Sequence, residues 1–166
     1  MLFGFRPFIF LLCLISLSTP AFPQGAQIDF GGLRQDTSLP VEVTADQLAV
    51  DQGNGSATFS GNVLVGQGEM RLSAAEVRVE YTEDGGGIRR LHASGGVMLA
   101  SPSDAAEASE AVYTIASGEV IMTGNVLLTQ GQNAISGQKL VVNLKSGMGT
   151  MQGRVQTVFR PGSANP

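Results

Sequence analysis

One histidine, His92, one cysteine, Cys13, and a thin scatter of carboxylates are nearly all that this chain offers for chemistry. A lone imidazole works as a general base only where it faces a substrate and has an orienting partner. Around it Leu91 and Ala93 alternate with Arg90, His92 and Ser94, which predicts a surface histidine on a polar face. One His and one Cys cannot build a zinc site, and no second Cys exists for a disulfide. Glu83-Asp84 and the group Asp104, Glu107, Glu110 lack the ligand spacing of a calcium loop, and none forms the paired carboxylates of a glycosidase. Arg89, Arg90, Arg154 and Arg160 suit either phosphate contacts or the protection of strand edges. With 10 Lys+Arg against 14 Asp+Glu, a basic surface for nucleic acid is not expected. The Gly-x-Gly pairs read as turns rather than phosphate loops, and nucleophile-elbow and zincin motifs are absent. The sequence therefore predicts no catalytic residue, no metal and no cofactor.

The elements that would hold a site begin after an export signal. Arg6 and the amino terminus precede an apolar run from Phe8 to Leu17, with Thr19 and Ala21 fitting the small positions of a cleavage site. Residues 1–21 read as a signal peptide, with Ala26 as the alternative boundary. The run is too short to span a bilayer as a helix, and Pro20 and Pro23 interrupt it. Cys13 would leave with this peptide, as would Arg6, taking the formal charge from −4 to −5. Residues 22–39 are expected to be a flexible lead-in and 162–166 a tail, with one domain over 40–161.

Within that domain the chain repeats itself. FSGNVLV, ASGGVML, MTGNVLL and MQGRVQT place Gly61, Gly95, Gly124 and Gly153 at intervals of 34, 29 and 29 residues. A second signature interleaves: ADQLAVD, AAEVRVE, ASEAVYT and GQKLVVN, each of the last three beginning 13 residues after a glycine of the first. The longer interval comes from extra residues in the TEDGGG loop, and a repeat that keeps phase through an insertion is structural. Apolar residues recur with a period of two, as in Phe59, Val63, Val65 and in Val120, Met122, Val126, Leu128, which predicts half-buried strands. SPSDAAEASEA has helical propensity, yet its place in the repeat predicts a strand. The expected fold is all-β: about a dozen short antiparallel strands in two facing sheets, open at both ends, with a first rung near Val41 to Asp51 and a last near Met151 to Arg160.

PVEVTADQLAVD, ATFSGNVLVGQGEMRLSAAEVRVEY and EVIMTGNVLLTQGQNAISGQKLVVNL together resemble the periplasmic lipopolysaccharide-transport proteins of the LptA/OstA type, over about Pro40 to Pro161. The resemblance implies a non-enzymatic periplasmic carrier with a twisted, V-shaped β-jellyroll whose interior shields the acyl chains of lipid A. The implied lipid-facing residues are Phe59, Val63, Val65, Leu72, Val77, Val79, Val97, Leu99, Met122, Val126, Leu128, Ile135, Leu140, Val142 and Phe159. The implied partners are lipopolysaccharide, an inner-membrane export complex, an outer-membrane translocon and further copies joined head to tail. The pairing edges would hold Val41, Val43, Leu48 and Val50 at one end and Val155, Thr157, Val158 and Arg160 at the other. The alternatives are a membrane-anchored bridge partner of the same fold and a structural β-repeat module with a dry core.

Overall fold

The computed structural model describes residues 26–29 and 31–159. The expected signal peptide and C-terminal tail lie outside them. Eleven strands and one 3-10 turn, Gly31–Leu33, make up the described chain: β1 Ala26–Asp29, β2 Glu42–Thr44, β3 Gln47–Asp51, β4 Ser56–Gln67, β5 Met70–Tyr81, β6 Ile88–Ala100, β7 Asp104–Thr114, β8 Glu119–Gln130, β9 Asn133–Asn143, β10 Met148–Gln152 and β11 Gln156–Val158. All pair antiparallel in one sheet of order β1-β10-β9-β8-β7-β6-β5-β4-β2, with β3 also on β4 and β11 also on β9. The alanine-rich stretch is strand β7, so the repeat outweighs local helix propensity there.

The strands are fewer and longer than their sequence segments suggest. β4 to β9 run for 11 to 13 residues each, because pairs of expected short strands fuse across a bend. The bend is a bulge built by the first signature. Between Ser60 and Val63, Gly61 and Asn62 both adopt positive φ (79° and 46°), and together they oppose Ala75 alone. Gly95-Gly96 and Gly124-Asn125 repeat this in β6 and β8, and Gly153-Arg154 separates β10 from β11. Two consecutive left-handed residues favour Gly and Asn, which explains the GNV motif. Alternate strands absorb the extra residue, so inward positions run 59, 61, 63 along β4 but jump from 77 to 74 along β5.

The row of bulges creases the sheet into two layers that share one core. Layer I holds β1, β3, β10 and the portions of β4 to β9 pairing through 56–60, 76–80 and 139–143; layer II holds β2, β11 and the portions through 63–67, 70–74 and 133–137. β2 and β3 are thus one creased strand at one end of the stack, and β10 and β11 another at the other end.

The rims add to the expected picture. Residues 26–29 and 31–39, ahead of the expected domain boundary at 40, join the fold: β1 pairs with β10 in the register Ala26↔Met151 to Asp29↔Met148, and Leu33 is buried in the core. Half of the last rung is therefore covered by the chain's own N-terminal strand. The expected edge at Arg160 lies outside the described residues.

Candidate functional site

Strand pairing turns the period-two pattern into rows that cross the molecule. In layer I, Leu48, Phe59, Val77, Ala93, Ala111, Met122, Leu140 and Met151 are successive partners, flanked by a row that includes Ala57, Val79, Leu91, Tyr113, Val120 and Val142. In layer II the matching row is Val43, Val65, Leu72, Leu99, Ala106, Leu128, Ile135 and Thr157. Val63, Val97 and Val126 stand just past the crease. Fourteen of the fifteen residues named as lipid-facing therefore lie on inner rows.

The interior is packed. Thirteen of those fourteen are buried, from 0% exposed at Val65 to 6% at Ile135, and Phe59 is half-buried at the end of the stack. With so little accessible area, no water-sized space adjoins most of them. Phe159 departs from the expectation: it follows the last described strand and is 71% exposed, because no rung among the described residues lies over it. The same effect at the opposite end exposes Leu48 and Val50 (56% and 63%), although they pair with Phe59 and Ala57 on the inner face. The apolar trough thus closes along its length and surfaces at its first rung. The edge candidates Val41 and Val43 are half-buried there, while Val155, Thr157 and Val158 are exposed at the last.

A buried polar group interrupts the apolar lining, and periodicity did not single it out. Gln67 ends β4 in the inward phase and is 1% exposed. Its Oε1 accepts from the Tyr113 hydroxyl at 2.7 Å, a bond joining layer II to layer I. Its Nε2 donates to the carbonyls of Thr37 and Leu39 at 3.0 and 2.9 Å, and Gln35 Nε2 donates to its Oε1 at 3.3 Å. Burial pushes the Tyr113 phenol up to about 12. The available signal was a glutamine in phase with Val63 and Val65 beside a turn glycine.

Asp104 starts β7 in the inward phase and is 4% exposed; the other charged candidates among the described residues lie outside the trough. His92 Nε2 is 3.1 Å from Glu80 Oε1, and Arg89 pairs with Glu80 Oε2 at 2.7 Å, with the Arg89 side chain 58% exposed. Such exposed pairs contribute about 0–1 kcal/mol. Asp84 organises its own loop, where bonds from the Thr82 hydroxyl and the Gly86 amide hold its carboxyl below the usual range. Glu107 and Glu110 are exposed near the crease. The arrangement suits apolar burial and strand pairing, and brings no nucleophile and base together among the described residues.

The comparisons with known proteins agree with this geometry. Residues 42–148 match the family model described as LptA/(LptD N-terminal domain) LPS transport protein. The chain is 30% identical over 141 residues to the lipopolysaccharide export system protein LptA of Escherichia coli (strain K12), covering 80% of this chain and 70% of that one. It is 27% identical over 158 residues to a Rhizobium meliloti (strain 1021) protein, covering 89% and 85%. The crystal structure of LptH, described as the LptA-homologous periplasmic component of the lipopolysaccharide transport device of Pseudomonas aeruginosa, superposes with a TM-score of 0.69 at 19% identity, covering 76% of this chain and 99% of that one. The chain belongs to the LptA/LptD N-terminal-domain family of lipopolysaccharide transport proteins.

Proposed function

We propose that this protein is a periplasmic carrier that shields the acyl chains of lipopolysaccharide between its two layers and joins further copies, or the membrane complexes at either side, through its end rungs. The observation that carries this reading is the continuity of the inner rows. They run unbroken through the β4 to β9 portions of the sheet and reach the surface as Leu48 and Val50. Shielding an acyl chain is favourable by about 0.8 kcal/mol per buried methylene, and non-directional apolar contacts let the chain slide. Among the described residues β2 and β3 each pair with β4 alone, and β11 with β9 alone, which leaves backbone groups there for a neighbour's strand. A head-to-tail joint there would prolong the trough and cover Leu48 and Val50.

The tight interior favours one competing reading, a structural β-module with a dry core. Photocrosslinking from a probe at Val63 or Leu128 separates the two in cells. The carrier gives a lipopolysaccharide adduct at both positions; no adduct at either leaves the structural reading. Mass spectrometry of the exported chain tests the signal peptide, since an intact Met1 points to the membrane-anchored partner.

A further inference from the structure

We propose that residues 31–39 form a releasable strap over the trough, so that cargo enters where this segment lifts. The inference rests on the carrier reading and adds the place of entry. On the side opposite the crease, the turns that end both layers face each other, and 31–39 crosses between them. It begins at β1, whose Asp29 carbonyl accepts from Gln130 Nε2 of layer II. Leu33 is seated in the core at 2% exposure, while Gly32 lies so close to Ser103 and Asp104 of layer II that a β-carbon would overlap them. The Gln35 amide donates to the Leu144 carbonyl of layer I at 2.8 Å. Its side chain reaches Gln67 and the Met70 sulfur of layer II, and Gln67 holds the Thr37 and Leu39 carbonyls.

This strap is fastened differently from the rest of the molecule. No strand ladder holds it: one apolar plug and a few single hydrogen bonds do. Two buried acceptors at this seam, Gln35 Oε1 on the strap and Asp104 Oδ2 beneath it, have no hydrogen-bond partner among the described residues. Unpaired buried acceptors regain hydrogen bonds when a segment lifts and water enters, so opening here is less costly than parting a satisfied sheet. Gly31-Gly32 at one end and Pro40 at the other bound the segment, and release would uncover Met70, Gln67 and Tyr113 at the edge of the inner rows.

The test loosens the strap and reads entry. Gly32→Ala puts a β-carbon where it would overlap Ser103 and Asp104, and Gln35→Ala removes the side-chain bonds to Gln67 and Met70. A dansyl-labelled undecanoic acid reports entry into the trough. Both variants should take up the probe at least about tenfold faster than the parent, whereas Gly95→Ala, which weakens the fold at the crease, should not. By hydrogen exchange, the Gln35 amide should open well before the amides of β5 to β8. Uptake by both strap variants no faster than by the parent, uptake by Gly95→Ala as fast as by them, or a Gln35 amide as protected as those strands, overturns the strap and leaves the carrier reading standing. No uptake by any form, Gln35→Ala included, overturns the carrier reading and the strap with it.

Discussion

The side-chain amide of Asn62 donates to the Asp46 carboxylate at 2.9 Å, fastening the crease of the first rung to the first glycine bulge. The Asp46 amide donates back to the Gly61 carbonyl at 3.0 Å. The two interleaved signatures of the sequence are thus the two sides of one joint. Ala75 against Gly95, Ser109 against Gly124 and Gln138 against Gly153 repeat the contact at each rung.

The two residues of a bulge should therefore respond differently to substitution. A β-carbon on Gly95 (φ 81°) would stand 2.6 Å from that of Ala75, whereas one on Gly96 (φ 84°) would meet nothing within 4 Å. Gly95→Ala should destabilise by about 2–4 kcal/mol, read from the denaturant midpoint. Gly96→Asn, which installs the residue found at 62 and 125, should cost no more than about 1 kcal/mol, the strain of moving φ from 84° toward the 46° and 47° of those asparagines. Equal losses at both positions would contradict the joint.

Val126 is 1% exposed just past the crease. Val126→Asp should cost about 3 kcal/mol or more, because the carboxylate has no partner on the inner face. Thermal unfolding checks the loss, and a variant as stable as the parent would reverse the assigned strand phase.

Alkaline pH should loosen the molecule through Tyr113. Its phenol titrates near 12 in the folded chain and near 10.0 when freely exposed. Above pH 10 the unfolded chain loses this proton first, so the stability present below pH 10 is lost as pH rises toward 12, by at most about 1.4 kcal/mol per unit. Tyr113→Phe should show a shallower fall between pH 9 and 11 in denaturant titrations, by about the same amount. Parallel curves for the two proteins would count against the buried phenol.

At the open first rung, Val50→Asp alters a residue that is 63% exposed, so the monomer should keep its stability within about 0.5 kcal/mol. Self-association, followed by light scattering, should weaken because the charge interrupts the apolar continuation between copies. Val158→Pro tests the other end by removing one backbone donor from β11. Unchanged particle sizes in both variants would remove these rungs as the joint.

Much of this fold was legible because burial and periodicity coincide along Val63, Val65, Leu72, Val97, Leu99, Val126 and Leu128, each covered by neighbouring rungs. Phe159, Leu48 and Val50 obey the same periodicity yet stand exposed, since a periodic pattern gives the phase of a strand but not whether another rung follows. The pairing of Ala26 with Met151 spans nearly the whole described chain and leaves no local trace in a four-residue strand. Gln67 read as part of a turn because its partners, Tyr113 and residues 35 to 39, come together only in three dimensions.

The crease also governs what lengths this architecture can take. Every hairpin from β4 to β9 is bent at the same place and adds two strands at about 4.8 Å each, so an inserted in-phase hairpin would lengthen the enclosure by about a nanometre without changing its cross-section. The surplus of the longer repeat is taken up in the 82–87 loop and in the register shift beside it between Glu80 and Tyr81, while regular pairing holds from Glu80↔Arg90 to Glu76↔Ser94, so variation in linear sequence is absorbed at the tips. Reach can then be adjusted in whole increments within one chain, apart from any adjustment through the number of chains.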